Sequence, residues 1–144
     1  MVICEPDLDR EALRQELKRF PYLSDKNRTD ERIEKFIDAL ETQSVVVQYS
    51  DGYFAFCNIR GDEAEAFWIH LDGHRLSHLH VRAAKLLVDS AMNVLGLKRL
   101  TMKTADNRVA RIAQKIGFVL DGIKSDGFEW EGMMLPQYRL VKEG

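Results

Sequence analysis

All four histidines of the chain, His70, His74, His78 and His80, fall within a span of 11 residues. Imidazole binds metals and carries protons near neutral pH, so such a cluster could ligate a metal, contact an anion or stand in solvent. The i, i+2 spacing of His78 and His80 lies in a segment expected to be a loop entering a helix. No cysteine cluster or fourth ligand frames them, so the expected metal site is none. Just upstream, Glu63 and Glu65 fall on a segment read as a strand. Alternation puts Ala66, Trp68 and His70 on one face and Glu65, Phe67 and Ile69 on the other. Glu65 is the first candidate for a general base and His70, at the strand end, the second. The plain alternative for Glu65 is a solvated carboxylate at a strand start. Cys4 and Cys57 lack metal or redox spacing and read as buried thiols of a reducing compartment, with a disulfide between them as the alternative.

The elements that position these groups follow from periodicity and breakers. Met1 to Cys4 reads as a short strand. Asp7 or Asp9 caps a helix carrying Leu13, Leu17 and Phe20, which Pro21 closes. Thr29 caps a second helix with Ile33, Phe36, Ile37 and Leu40 on one face. The period then shortens. Ser44 to Tyr49, Tyr53 to Ile59 and Ala64 to Leu71 form a meander with turns at Asp51-Gly52 and Gly61-Asp62. A long helix follows through Val81, Ala84, Val88, Ala91 and Leu95, ended by Gly96. Leu97 to Lys103 is a strand, and Val109, Ile112, Ala113 and Ile116 line a shorter helix stopped by Gly117. Phe118 to Ile123 and Gln137 to Val141 are closing strands joined by a connection that contains glycine. The order β-α-α-β-β-β-α-β-α-β-β predicts an α/β fold, a mixed sheet with helices on both faces.

Length and charge bound the function. The 144 residues are 45% hydrophobic, enough for a single domain over 1–144. Formal net charge is −2, without the basic excess of a dedicated nucleic-acid binder. Apolar runs such as Lys85-Leu86-Leu87-Val88 are far too short to span a membrane, and the first residues lack the pattern of a secretory signal. The expected location is cytoplasmic, with neither nucleic acid nor membrane as partner.

The element order, with Leu95-Gly96-Leu97-Lys98-Arg99-Leu100 and Asp106-Asn107-Arg108-Val109-Ala110-Arg111-Ile112-Ala113-Gln114-Lys115-Ile116-Gly117-Phe118, resembles the GCN5-related N-acetyltransferase (GNAT) superfamily. The second stretch is similar to the N-x-x-S-x-R-V-x-E-K-L-G-F signature of the ribosomal-protein acetyltransferase branch, and divergent members also occur in phage genomes. The resemblance implies a mostly antiparallel GNAT-like sheet and acetyl-coenzyme A (acetyl-CoA) as the donor. It further implies a small-molecule or protein amine as acceptor, and a homodimer. A phage-encoded chain would act in the host cytoplasm. The family cradles the cofactor pyrophosphate on an R/Q-x-x-G-x-G/A loop at a helix N-terminus, where free amides attract anions. The matching positions are Arg75, Leu76, Ser77, His78, Leu79 and His80. Arg75 matches, and both glycine positions carry histidine. Leu71, at the preceding strand end, and Asn107 complete the implied cofactor contacts, although Asp106 or Asn107 capping the next helix is the simpler role. Ala113 falls where many members place a proton-donating tyrosine.

Two activities remain open. One is an N-acyltransferase in which an amine attacks a thioester while a strand amide steadies the oxyanion. The other is a catalytically silent binding or structural protein of the same fold. A histidine-rich metal-binding domain is a weaker third reading. The strands at Ala64 to Leu71 and Leu97 to Lys103 are predicted to run parallel and to part beyond Leu71.

Overall fold

A computed structural model describes residues 8–49, 52–70 and 78–144. The strand expected at Met1 to Cys4 and the turn residue Asp51 lie outside the described residues. Helices α1 (Arg10–Arg19) and α2 (Asp30–Gln43) come first. The Asp9 carboxylate accepts from the Ala12 amide and the Thr29 hydroxyl from the Arg32 amide, so each helix starts where its orphan N–H groups find an oxygen. Arg10 and Arg14 of α1 both bond Glu34 of α2 and hold its carboxyl down to about 2.

Strands β1 (Val45–Tyr49), β2 (Gly52–Arg60) and β3 (Glu63–His70) form the meander. Helix α3 (His78–Leu95) then crosses to β4 (Arg99–Thr104), and α4 (Asn107–Lys115) leads to β5 (Val119–Trp130) and β6 (Met133–Glu143). The sheet order is β1-β2-β3-β4-β6-β5. Only the β3/β4 pair is parallel among the described residues, as a helical crossover requires.

The sheet separates two cores. On one face Phe54, Phe56, Ala64, Ala66 and Trp68 pack with Ala84, Val88 and Ala91 of α3 and Val109, Ala110 and Ala113 of α4. On the other, Tyr53, Ala55 and Ile69 pack with Leu13 and Leu17 of α1 and Ile33, Ile37 and Leu40 of α2. Each large side chain buried in this way stabilises by roughly 1.5–3 kcal/mol before entropy is charged against it. The alternation expected along β3 is the one observed for Ala66 to Ile69.

Two boundaries differ from the sequence pattern. Helix α3 begins at His78, so the segment expected as loop through His80 is already helical. No glycine or proline between His78 and Val81 stops the helix from starting early. The connection expected over residues 124–136 is instead strand on both sides of a turn at Glu131 and Gly132, whose φ values are 51° and 76°. Gly127 and Pro136 read as breakers, but the register shifts between Lys124 and Phe128. Pro136 sits opposite that shift and beyond Tyr138, the last β6 partner of β4, so its missing N–H breaks no ladder.

Candidate functional site

The parallel ladder runs from Glu63↔Arg99 to Ala66↔Met102 and goes no further among the described residues. Both strands continue. β3 stays with β2 as far as His70↔Gly52, and β4 stays with β6 as far as Thr104↔Tyr138. The sheet therefore forks in its centre, after Ala66 and not beyond Leu71 as expected. Backbone N–H and C=O groups along the fork face no strand partner there.

Side chains from both faces meet at this fork. Phe67, the first β3 residue past the ladder, has its ring 4.7 Å from that of Phe36 and 6.0 Å from that of Tyr22. Tyr22, in the α1–α2 connection, packs against both cores. Because the cores lie on opposite faces, it reaches them at the open end of the central strands. Arg108 of α4 stacks over Phe20 at the end of α1, 5.2 Å from the ring centre, and so joins the helices of the two faces. Its Nε and Nη2 donate to the two oxygens of Asp106, which also accepts from the Arg108 backbone amide as the cap of α4. That pairing, offset in part by burial, raises the guanidinium above its ordinary value, and the nearby Tyr22 and Glu16 oxygens add to the rise. Glu16 itself is 5% exposed.

The α1–α2 connection is tied to the β5–β6 hairpin. The Glu131 and Gly132 amides donate to the two Asp25 oxygens at 2.7 and 3.0 Å. Gly132 first and Glu131 second hold that carboxyl below the usual range. Arg28 covers the Trp130 ring at 5.2 Å. Phe128, Glu129 and Trp130, expected between strands, instead end β5.

The candidates read from sequence divide between the two ends of the β3/β4 pair. Glu65 lies at the paired end, exposed, its carboxylate accepting from Asn58 Nδ2 at 2.6 Å. It lines a cavity of about 300 Å³ with Asn58, Arg60, Glu63, Arg99 and Thr101. His70 ends β3 at the forked end. Leu71, Arg75, Leu76 and Ser77 lie outside the described residues. The backbone of His78, Leu79 and His80 forms the start of α3. Asn107 is exposed at the start of α4, whose cap is Asp106. Ala113 is fully buried in the first core, so α4 brings no phenol to the fork from that position. Burial pushes the Cys57 thiol up, against a contact with the Ser44 hydroxyl, which suits a packed thiol and not a nucleophile. Among the described residues no cluster of three or more His, Cys, Asp or Glu could hold a metal, and no helix is long and apolar enough to cross a membrane.

Sequence reasoning passed over Glu16 and Tyr22. The signal for Glu16 was present: it falls three residues after Leu13, inside the apolar stripe of α1, where a carboxylate has no packing reason to be. Tyr22 carried no such signal, since it follows Pro21 outside any periodic segment.

No protein-family model matches the chain, and no curated protein matches it in sequence. Solved structures do match in shape. Spermidine N-acetyltransferase from Vibrio cholerae, in complex with CoA and spermine, is 14% identical with a TM-score of 0.69, covering 94% of this chain and 89% of that one. An IAA acetyltransferase from Bacillus cereus is 17% identical with a TM-score of 0.62, covering 96% and 93%. The microcin C7 self-immunity acetyltransferase, in complex with acetyl-CoA and AMP, is 17% identical with a TM-score of 0.61, covering 94% and 87%. The chain has the GNAT fold. At these identities the likeness concerns the path of the chain and not its chemistry.

Proposed function

We propose that this protein is an N-acyltransferase that moves an acetyl group from acetyl-CoA to an amine. The observation that carries the reading is the fork after Ala66↔Met102, a gap in the middle of a sheet with main-chain donors along its edge. The donor's fit rests on α3. This helix follows β3, so its N-terminus lies at the forked end, and its first turn carries no acidic residue to repel a pyrophosphate. Arg75 and the amides of Ser77 to His80 would hold the phosphates, with Leu71, Leu76 and Asn107 beside the cofactor. Bound acetyl-CoA supplies an acetyl thioester. The chain's own part is to orient that carbonyl with β3 amides beyond Ala66, which strengthen their hold as the oxygen gains charge. The aromatic wall of Tyr22, Phe36 and Phe67 keeps water from the same space.

Histidine at both glycine positions supports one competing reading, a binding protein that kept the fold and lost the cofactor. Calorimetric titration with acetyl-CoA separates the two. The expected result is weak but measurable heat of binding, preserved or modestly improved when His78→Gly and His80→Gly are combined, because side-chain bulk is removed, against a small loss of helix propensity at the start of α3. No heat from parent or variant at millimolar acetyl-CoA overturns the transferase.

A further inference from the structure

The cavity of about 300 Å³ at the paired end of β3 and β4 takes no part in acetyl transfer at the fork. It opens on the sheet face that α1 and α2 cover only further along, over Tyr53, Ala55 and Ile69. Backbone register builds it. The β2/β3 ladder shifts between Cys57 and Arg60, so that Asn58 and Ile59 stand opposite Ala64 alone. Asn58 has φ 50°, a left-handed conformation that asparagine tolerates better than most residues, and its Nδ2 donates to the Glu65 carboxylate at 2.6 Å. Past this bulge Arg60 is back in register with Glu63, whose partner on the other side is Arg99. One row across three strands therefore reads plus, minus, plus. The next row sets Glu65 opposite Thr101.

These charges are not spent on one another. Among the described residues no ion pair joins Glu63 to Arg60 or Arg99, its two cross-strand neighbours. With two arginines and two glutamates the lining is formally neutral. A lone anion drawn to Arg60 and Arg99 would also meet Glu63 and Glu65, and a lone cation drawn to the carboxylates would meet both guanidinium groups. Like charges that close offset most of either gain. A molecule that carries both signs meets neither conflict.

We propose that this cavity binds a zwitterionic α-amino acid, its ammonium on Glu63 and Glu65 of β3 and its carboxylate on Arg99 and the Thr101 hydroxyl of β4. Neighbouring strands lie about 4.8 Å apart, close enough for their side chains to hold two groups attached to one carbon. The planar fork of arginine matches a carboxylate. Arg60, Glu63 and Glu65 are exposed and Arg99 and Thr101 half-buried, so water screens the seat and its affinity is on the order of millimolar. The seat does not depend on the transferase reading.

The test titrates L-alanine into the full chain at neutral pH, followed by amide chemical shifts. Propionate, which lacks the ammonium, and ethylammonium, which lacks the carboxylate, are the comparisons. The expected outcome is shifts centred on residues 58–65 and 99–101, with alanine preferred over both by about fivefold or more. Glu63→Gln weakens alanine and strengthens propionate, while Arg99→Gln weakens alanine and strengthens ethylammonium. Lys103→Gln, on the same face of β4 but outside the cavity, keeps the parent's preference. Parent protein that binds propionate or ethylammonium as well as alanine, or shows no shift with alanine at about 50 mM, overturns the assignment whether or not the variants fold. So do folded Glu63→Gln and Arg99→Gln proteins that both keep the parent's margins.

Discussion

The two ends of the β3/β4 pair share the same strands and differ in everything else. At the paired end, Glu63↔Arg99 to Ala66↔Met102 are joined by main-chain hydrogen bonds, and the side chains toward α1 and α2 are charged and open to solvent. At the forked end the ladder stops, and Phe67, Tyr22, Phe36, Glu16 and Arg108 gather from both faces. The cavity at the paired end is lined by Arg60, Arg99, Glu63 and Glu65, whose charges water can screen. At the fork the carboxylates of Glu16 and Asp106 are 5% and 6% exposed, so their fields are screened less, while Arg108 stays half-exposed above them. A strand pair held by its own backbone needs little from its side chains. One that has parted depends on what fills the gap.

The sharpest way to break this contrast is Trp68→Ala. Trp68 is 4% exposed, packs 5.7 Å from Phe54, and stands just past the ladder, where no β4 partner can make up the loss. The expected cost is about 3–5 kcal/mol, read as a lower denaturant midpoint at unchanged slope. A loss under about 1 kcal/mol would mean that the fork collapses onto the vacancy, and the distinction between the ends would fail.

A smaller, local effect is expected from acid. Asp25 is held below its ordinary value in the folded chain, so what it adds to stability is complete above the usual carboxylate range and is lost as pH falls through the folded value. Acidification should therefore release the Glu131 and Gly132 amides before the cores respond, followed through their chemical shifts. Asp25→Ala should free these amides at neutral pH and abolish the acid step. Tip amides that move identically in parent and variant would show that the hairpin is not latched there.

The least effect is expected at the paired end. Glu63→Gln removes one exposed charge from a strand pair held by its backbone, and stability should change by no more than about 0.5 kcal/mol. A loss several times larger in a thermal or denaturant melt would show that the charges, and not the ladder, hold that end together.

Much of the fold was legible from short-range rules. Asp9, Thr29 and Asp106 cap where a carboxylate or hydroxyl meets the first free amides of a helix. Gly96, with φ 69°, ends α3 as a residue without a Cβ can. The alternation along β3 correctly assigned Trp68 and Phe67 to opposite cores. These are local facts, set by residues within one turn or one strand of each other. The length of β5 and β6 was not local: Gly127 and Pro136 look like breakers until a partner strand absorbs them in a register shift.

The candidate site divides along the same line. By itself the sequence determined which strands run parallel around α3, because a crossover helix allows little else, and it placed a helix N-terminus close after β3. It also supplied the carboxylates, without ranking them. Only the tertiary structure decided where the ladder stops, that Glu65 stands at the screened end beside Asn58, and that Tyr22, 45 positions away from Phe67, reaches it at the open one. Proximity across two cores depends on how α1 and α4 pack over opposite faces of a sheet, and no periodicity within either helix carries that information.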